Sequence, residues 1–143
     1  MTGTKTLTIL KPSAVKNEFI GPILAKISAA GFHIAAMKLT QLTLIEAEKF
    51  YSVHRGKPFF TPLIEKMTSG PIVVAILEKQ DAVAEFRKLI GVTNPAEAKE
   101  GTIRKLYGES VKRNAVHGSD SDSNAEFECD FFFAKSERFS LFD

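Results

Sequence analysis

The heptapeptide Asn114-Ala115-Val116-His117-Gly118-Ser119-Asp120 gathers a histidine, a glycine and two small polar residues in one short stretch. An imidazole has an ordinary pKa near ~6.5, so at neutral pH it serves both as an uncharged nucleophile and as a proton carrier. Gly118 removes a side chain that would crowd an incoming group. Ser119, Asp120 and Ser121 read as the start of a helix, whose first amides and dipole favour negative charge and suit a phosphate. Eleven residues beyond His117 stands a carboxylate, Glu128. On these residues alone, a satisfied histidine at the end of a strand is the more ordinary alternative, and the rest of the chain has to decide.

Other routes to chemistry are missing. Neither a Gly-x-x-x-x-Gly-Lys-Ser/Thr loop nor a Gly-x-Gly-x-x-Gly turn occurs, so nucleotide binding would have to be built another way. No histidine pair stands at metal-ligand spacing, and no Gly-x-Ser-x-Gly elbow is present. The chain has 143 residues, 44% of them apolar and 25% charged, which fits one soluble domain over 1–143. Its longest apolar run, Ile72–Leu77, is far short of the ~20 residues that cross a bilayer, and Met1–Lys5 carries no apolar leader. No membrane partner and a cytoplasmic location are therefore expected, in keeping with a lone cysteine, Cys129, that excludes an internal disulfide. A net charge of +2 disfavours nucleic acid as a partner and implies that any anion is held by a local cluster of cations.

The reactive groups need elements to carry them. Thr6-Leu7-Thr8-Ile9-Leu10 alternates with period two, which predicts a strand closed by Pro12 with Lys11 at its tip. Ile23, Ile27 and Ala30 predict a helix over 22–30, stopped by Gly31, followed by a strand over 33–42. Thr43-Leu44-Ile45-Glu46 is a capping box, so a helix should run from Leu44 to about Val53, with Tyr51 and His54 near its end. Thr61 and Pro62 read as the N-cap and first residue of another helix, ended by Gly70. Residues 71–77 form a near-continuous apolar strand, expected to be central. Asp81 should cap a helix over 82–90, with Gly91 ending it and Arg87 beside the core-facing Phe86. Residues 91–113 lose clear periodicity, as functional excursions do, and 111–116 should return to the sheet to deliver His117. Ser123-Asn124-Ala125-Glu126 is a second capping signature, opening a helix with Ala125, Cys129, Phe132 and Phe133 on its apolar face and Glu128 beside it. This order gives an α+β sandwich, an antiparallel or mixed sheet covered by helices.

Lys11-Pro12 after a strand, Tyr51, Lys57-Pro58-Phe59-Phe60, Ser69-Gly70-Pro71, Thr93-Asn94-Pro95, Gly101-Thr102-Ile103-Arg104 and Asn114-x-x-His117-Gly118-Ser119-Asp120-Ser121 together resemble the nucleoside diphosphate kinase family, in order and along nearly the whole chain. The resemblance implies a ferredoxin-like βαββαβ fold and ping-pong transfer of the γ-phosphate of a nucleoside triphosphate such as ATP to a nucleoside diphosphate, through a phosphohistidine on His117. It implies that Glu128 accepts a hydrogen bond from the other ring nitrogen, braced by Ser119. Lys11, Tyr51, Arg87, Thr93 and Arg104 would surround the phosphates, with Mg²⁺ carried in on the nucleotide and no metal ligand from the protein. Asn114 with Lys11 would reach the sugar, and Phe59 and Val111 would sandwich the base. A homo-oligomer, hexamer or tetramer, also follows from the resemblance.

Two stretches depart from the family pattern. Asn17-Glu18 stands where a basic residue and glycine are common, and Asp122-Ser123 where Val-Glu is common. The rival reading is a non-catalytic module on the same fold that binds nucleotide or RNA. RNA-binding sheets carry basic-aromatic runs on a strand, and none occurs here.

Overall fold

The computed structural model describes residues 3–142. Four strands, β1 (Lys5–Leu10), β2 (His33–Thr40), β3 (Ile72–Glu78) and β4 (Val116–Gly118), make one sheet of order β2-β3-β1-β4. Every neighbouring pair is antiparallel, which resolves the choice between an antiparallel and a mixed sheet. Two helices, α2 (Ile20–Ala29) and α5 (Ala82–Ile90), make the crossovers that complete a ferredoxin-like βαββαβ chain path. The remaining helices are α1 (Pro12–Lys16), α3 (Leu44–Phe50), α4 (Phe60–Met67), α6 (Ile103–Tyr107) and α7 (Asp122–Phe132).

Strand alternation divides the core between two faces. On β1, Leu7 and Ile9 join Ile72, Val74 and Ile76 of β3 beneath α3, α4 and α7. Leu10 and Val116 join Val73, Ala75 and Leu77 on the opposite face, beneath α2 and α5. The apolar stretch at 71–77 is central, as expected, because β3 is buried along its whole length between β1 and β2. Of the described helices, none is long and apolar enough to cross a membrane.

Local signals hold where the partners are near in sequence. The Thr43 hydroxyl accepts from Glu46 N at 3.1 Å while the Glu46 carboxylate accepts from Thr43 N at 2.9 Å, so the capping box forms. Gly31 follows α2 at φ 92°, a left-handed conformation that a glycine adopts without Cβ strain.

Several boundaries differ from expectation, each for a physical reason. The helix after Gly56 begins at Phe60, so Thr61 and Pro62 lie inside its first turn, where a missing N–H breaks no intrahelical bond. Pro22 likewise lies inside the first turn of α2. The α3 helix stops at Phe50 and passes into a 3₁₀ turn at Ser52–His54. Asp81 precedes α5 but does not cap it with its side chain, because its own backbone is left-handed at φ 58°. The last helix starts at Asp122 and is capped by Ser121, whose Oγ accepts from Asn124 N at 3.1 Å, in place of Ser123. The strand expected over 111–116 is reduced to Val116–Gly118: Ala115 turns to φ 78°, and its carbonyl is taken by Lys11 N at 2.9 Å. A β-bulge between Ile34 and Ala36 buries both Ala35 and Ala36 before alternation resumes, and β2 ends at Thr40. Two five-residue helices, α1 and α6, form in stretches without helical periodicity. Glu18 occupies a left-handed position at φ 65°, which explains why glycine suits this turn in the resembling family.

Candidate active site

His117 lies on β4 opposite Ile9 of β1, and its side chain is one-fifth exposed. Pairing with β1 fixes the backbone of the residue, and the Thr8 hydroxyl adds a bond to the His117 carbonyl at 2.9 Å. On the α7 side, the His117 Nε2 meets Glu128 Oε1 at 2.8 Å, and Ser119 Oγ donates to the same oxygen at 2.7 Å. Ser119 is itself buried and accepts from Leu7 N at 3.1 Å, so the carboxylate is braced by the central strand. An ionised carboxylate only accepts hydrogen bonds, which assigns the ring proton to Nε2 and leaves the Nδ1 lone pair available.

Gly118 has a different use from the one expected. A Cβ there would come within 2.9 Å of Phe86 and 3.1 Å of Ile90, on the face of the sheet away from His117. The missing side chain lets α5 pack against β4 and clears no path to the imidazole.

Lys11 leaves the end of β1 and donates to Asn114 Oδ1 at 2.8 Å, while Asn114 Nδ2 donates to the Thr93 carbonyl at 3.1 Å. The buried Asn114 thus ties the strand tip to the loop after α5. Arg104, from α6, donates to the carbonyls of Gly91 and Val116, each at 2.9 Å. Burial, reinforced by the positive charge of Arg104, brings the Lys11 ammonium from 10.5 down to about 8. Burial and then Arg87 bring Arg104 down to about 10. Lys11 therefore feels the charge of Arg104, and Arg104 that of Arg87, and among the described residues none of the three is paired with a carboxylate. Such a cluster is costly until an anion joins it.

Tyr51 is buried at the end of α3, and burial together with the negative Glu128 pushes its phenol far above the usual range, keeping it a hydrogen-bond donor. Phe59 and Val111 are both about half exposed, at 48% and 52%. Such exposure leaves each with apolar surface for a ligand. Thr93 and Arg87 are exposed at the ends of the loop and helix that carry them. No group of three or more His, Cys, Asp or Glu side chains among the described residues is placed to hold a metal.

A family model described as nucleoside diphosphate kinase matches residues 4–138. The chain is 56% identical over 139 residues to a nucleoside diphosphate kinase of Flavobacterium psychrophilum, covering 97% of this chain and 100% of that protein. It is 57% identical over 133 residues to one from Chlorobaculum parvum, covering 93% and 95%. The chain belongs to the nucleoside diphosphate kinase family.

Solved structures of the family agree with the fold. The nucleoside diphosphate kinase of Aquifex aeolicus superposes with a TM-score of 0.92 at 40% identity, covering 94% of this chain and 98% of that one. That of Halobacterium salinarum, in complex with CDP, gives 0.91 at 33% identity, covering 95% and 91%. Family membership supports phosphotransfer between nucleotides over the non-catalytic binding module. Two neighbours of the kinase site escaped the sequence reading. Phe50 sets its ring edge-on to His117 at 5.9 Å between centroids, and Thr8 holds the His117 carbonyl. The alternation of Thr6 and Thr8 with apolar residues carried a signal for the second; for Phe50 the signal was only its place before Tyr51.

Proposed function

We propose that His117 carries the phosphoryl group between nucleoside triphosphates and nucleoside diphosphates. The observation that carries this reading is the 2.8 Å contact of Nε2 with Glu128, which turns the unprotonated Nδ1 into the nucleophile. In the first half-reaction the Nδ1 lone pair forms a bond to the γ-phosphorus while the bond to the bridging oxygen breaks, and the nucleoside diphosphate leaves with those electrons. The ring becomes positively charged, and Glu128, held by Ser119, stabilises it through the Nε2–H bond. A second diphosphate then attacks phosphorus with a terminal oxygen, and the bond to Nδ1 breaks. One site serves donor and acceptor in turn.

Phosphoryl transfer asks the protein chiefly for positioning and for charge around the equatorial oxygens. Lys11, Arg87 and Arg104 supply the charge, Tyr51 and Thr93 donate hydroxyls, and Lys11 with Asn114 meets the sugar. Phe59 and Val111 offer apolar surface to the base. The residues proposed to meet the phosphates are cations and hydroxyls, and Glu128 is already engaged with His117 and Ser119. This donor set suits Mg²⁺ that enters as part of the nucleotide complex, shielding phosphate charge and keeping its own waters.

Exposed Met37 and Leu39 on the edge strand β2, with Val92 and Leu106 in the 91–113 excursion, support a homo-oligomer, hexamer or tetramer. A buried, unpaired Cys129 fits a reducing cytoplasm. The test is incubation with γ-labelled ATP, followed by a nucleoside diphosphate. An acid-labile, base-stable label on the protein that discharges to the acceptor is expected, absent in His117→Ala and retained in His33→Ala and His54→Ala. Label persisting in His117→Ala assigns the chemistry elsewhere.

A further inference from the structure

The turn between α3 and α4 carries a half-buried histidine, His54, that the transfer steps do not use. Its ring neighbours two that they do. The Tyr51 ring is nearly parallel to it, with centroids 6.5 Å apart and planes 25° apart, and the Phe59 ring lies 5.1 Å away at 60°. The turn backbone holds this cluster: His54 N donates to the Tyr51 carbonyl at 2.9 Å, and Lys57 N donates to the His54 carbonyl at 3.1 Å. His54 Nδ1 is buried without a hydrogen-bond partner among the described residues, so neighbouring rings orient the imidazole.

Phe59 is the opposite kind of residue, 48% exposed and free of packing on much of its surface. Besides His54, the contact described for its ring is Lys57 Nζ, 5.8 Å from the centroid. A phenyl ring this exposed binds a base well only if something restrains it beforehand, since ordering it on binding costs affinity. We propose that His54 is a positioning residue that fixes Phe59 against the buried Tyr51, setting the distance between the base platform and the phosphate end of the site. This inference rests on reading Phe59 as the residue that stacks on the base.

His54 touches no reacting atom, so its loss acts on nucleotide binding and spares the bound-state chemistry. The experiment measures kcat and KM for the diphosphates of adenosine, guanosine, cytidine and uridine in wild type, His54→Ala, Phe59→Ala, the double variant and His54→Phe. His54→Ala should raise KM for all four acceptors by roughly 2- to 12-fold, the scale of one aromatic pair, with kcat within about twofold by the logic of a uniform binding loss. In the Phe59→Ala background the same change should have no further effect, and His54→Phe, which restores a ring, should keep KM near wild type. His54→Leu keeps volume without a ring and serves in place of His54→Ala if that variant fails to fold. Additive effects in the double variant, a fall in kcat at constant KM, or His54→Phe behaving like His54→Ala would overturn the inference. If KM rises in Phe59→Ala and not in His54→Ala, the inference fails alone. If Phe59→Ala leaves KM unchanged, the stacking reading fails and takes this one with it.

Discussion

The Nε2 of His117 and the Oε1 of Glu128 stand 2.8 Å apart although the two residues belong to different elements, one to a strand and one to a helix. Replacing Glu128 with Gln keeps the shape and removes the acceptor charge, so it should both unsettle the ring tautomer and leave the developing positive charge unsupported. A loss of about 10²- to 10⁴-fold in the rate of His117 labelling is expected, on the scale of a displaced general-acid/base partner. Single-turnover labelling checks it; a rate within threefold of wild type would remove Glu128 from the mechanism.

Gly118→Ala drives a methyl group into Phe86 and Ile90 on the side of the sheet away from His117. Overpacking of this kind should destabilise the fold by about 1–3 kcal/mol. Denaturant unfolding measures that loss, and Phe86→Leu in the same chain should recover part of it. Folded Gly118→Ala protein should still label, because the imidazole side is untouched.

The Lys11 ammonium is depressed from 10.5 to about 8 in the free protein, which fixes the sign of two pH effects. Between those values the unfolded chain binds the proton more tightly than the folded one, so the folded state gains stability from this group as pH rises through about 8 to 10.5 and carries the full cost below about 8. Relative to Lys11→Met, the wild-type deficit in unfolding free energy should therefore shrink across that window. Catalysis runs the other way. The phosphates need the protonated form, so kcat/KM should fall as pH passes about 8, with nucleotide binding taking up a proton. Lys11→Arg, which stays charged, should lose that alkaline limb even if its overall efficiency is lower.

No polar side chain in the proposed site is assigned to a base edge, and every nucleobase offers a face for stacking. The four diphosphate acceptors should therefore differ in kcat/KM by no more than ~10–200-fold, the range that apolar contacts allow. Phe59→Ala should weaken all four together by about 1–3 kcal/mol. A preference of several thousandfold for one base would reveal a polar contact that reads it.

A solution mass several times the 15.8 kDa chain is expected at micromolar concentration. Light scattering decides it, and a monomer mass would contradict the assembly read from the apolar edge of β2 and the 91–113 excursion.

The sequence by itself determined the features whose causes are local. The Thr43–Glu46 capping box, the alternation of β1, the apolar run of β3 and the left-handed stop at Gly31 each depend on residues within a few positions, and each forms as read. The ordered set of motifs from Lys11 to Ser121 also pointed to the family and to His117. Tertiary structure decided what depends on distant partners. Strand β4 is three residues long because Ala115 turns away and gives its carbonyl to Lys11. Gly118 faces a helix that begins thirty-six residues earlier in the chain, at Ala82, a contact that no reading of its neighbours contains. Periodicity and capping report short-range hydrogen bonds and which side of an element is apolar. They carry no record of which side chain waits across the sheet, and packing against Phe86 and Ile90 settled the use of Gly118.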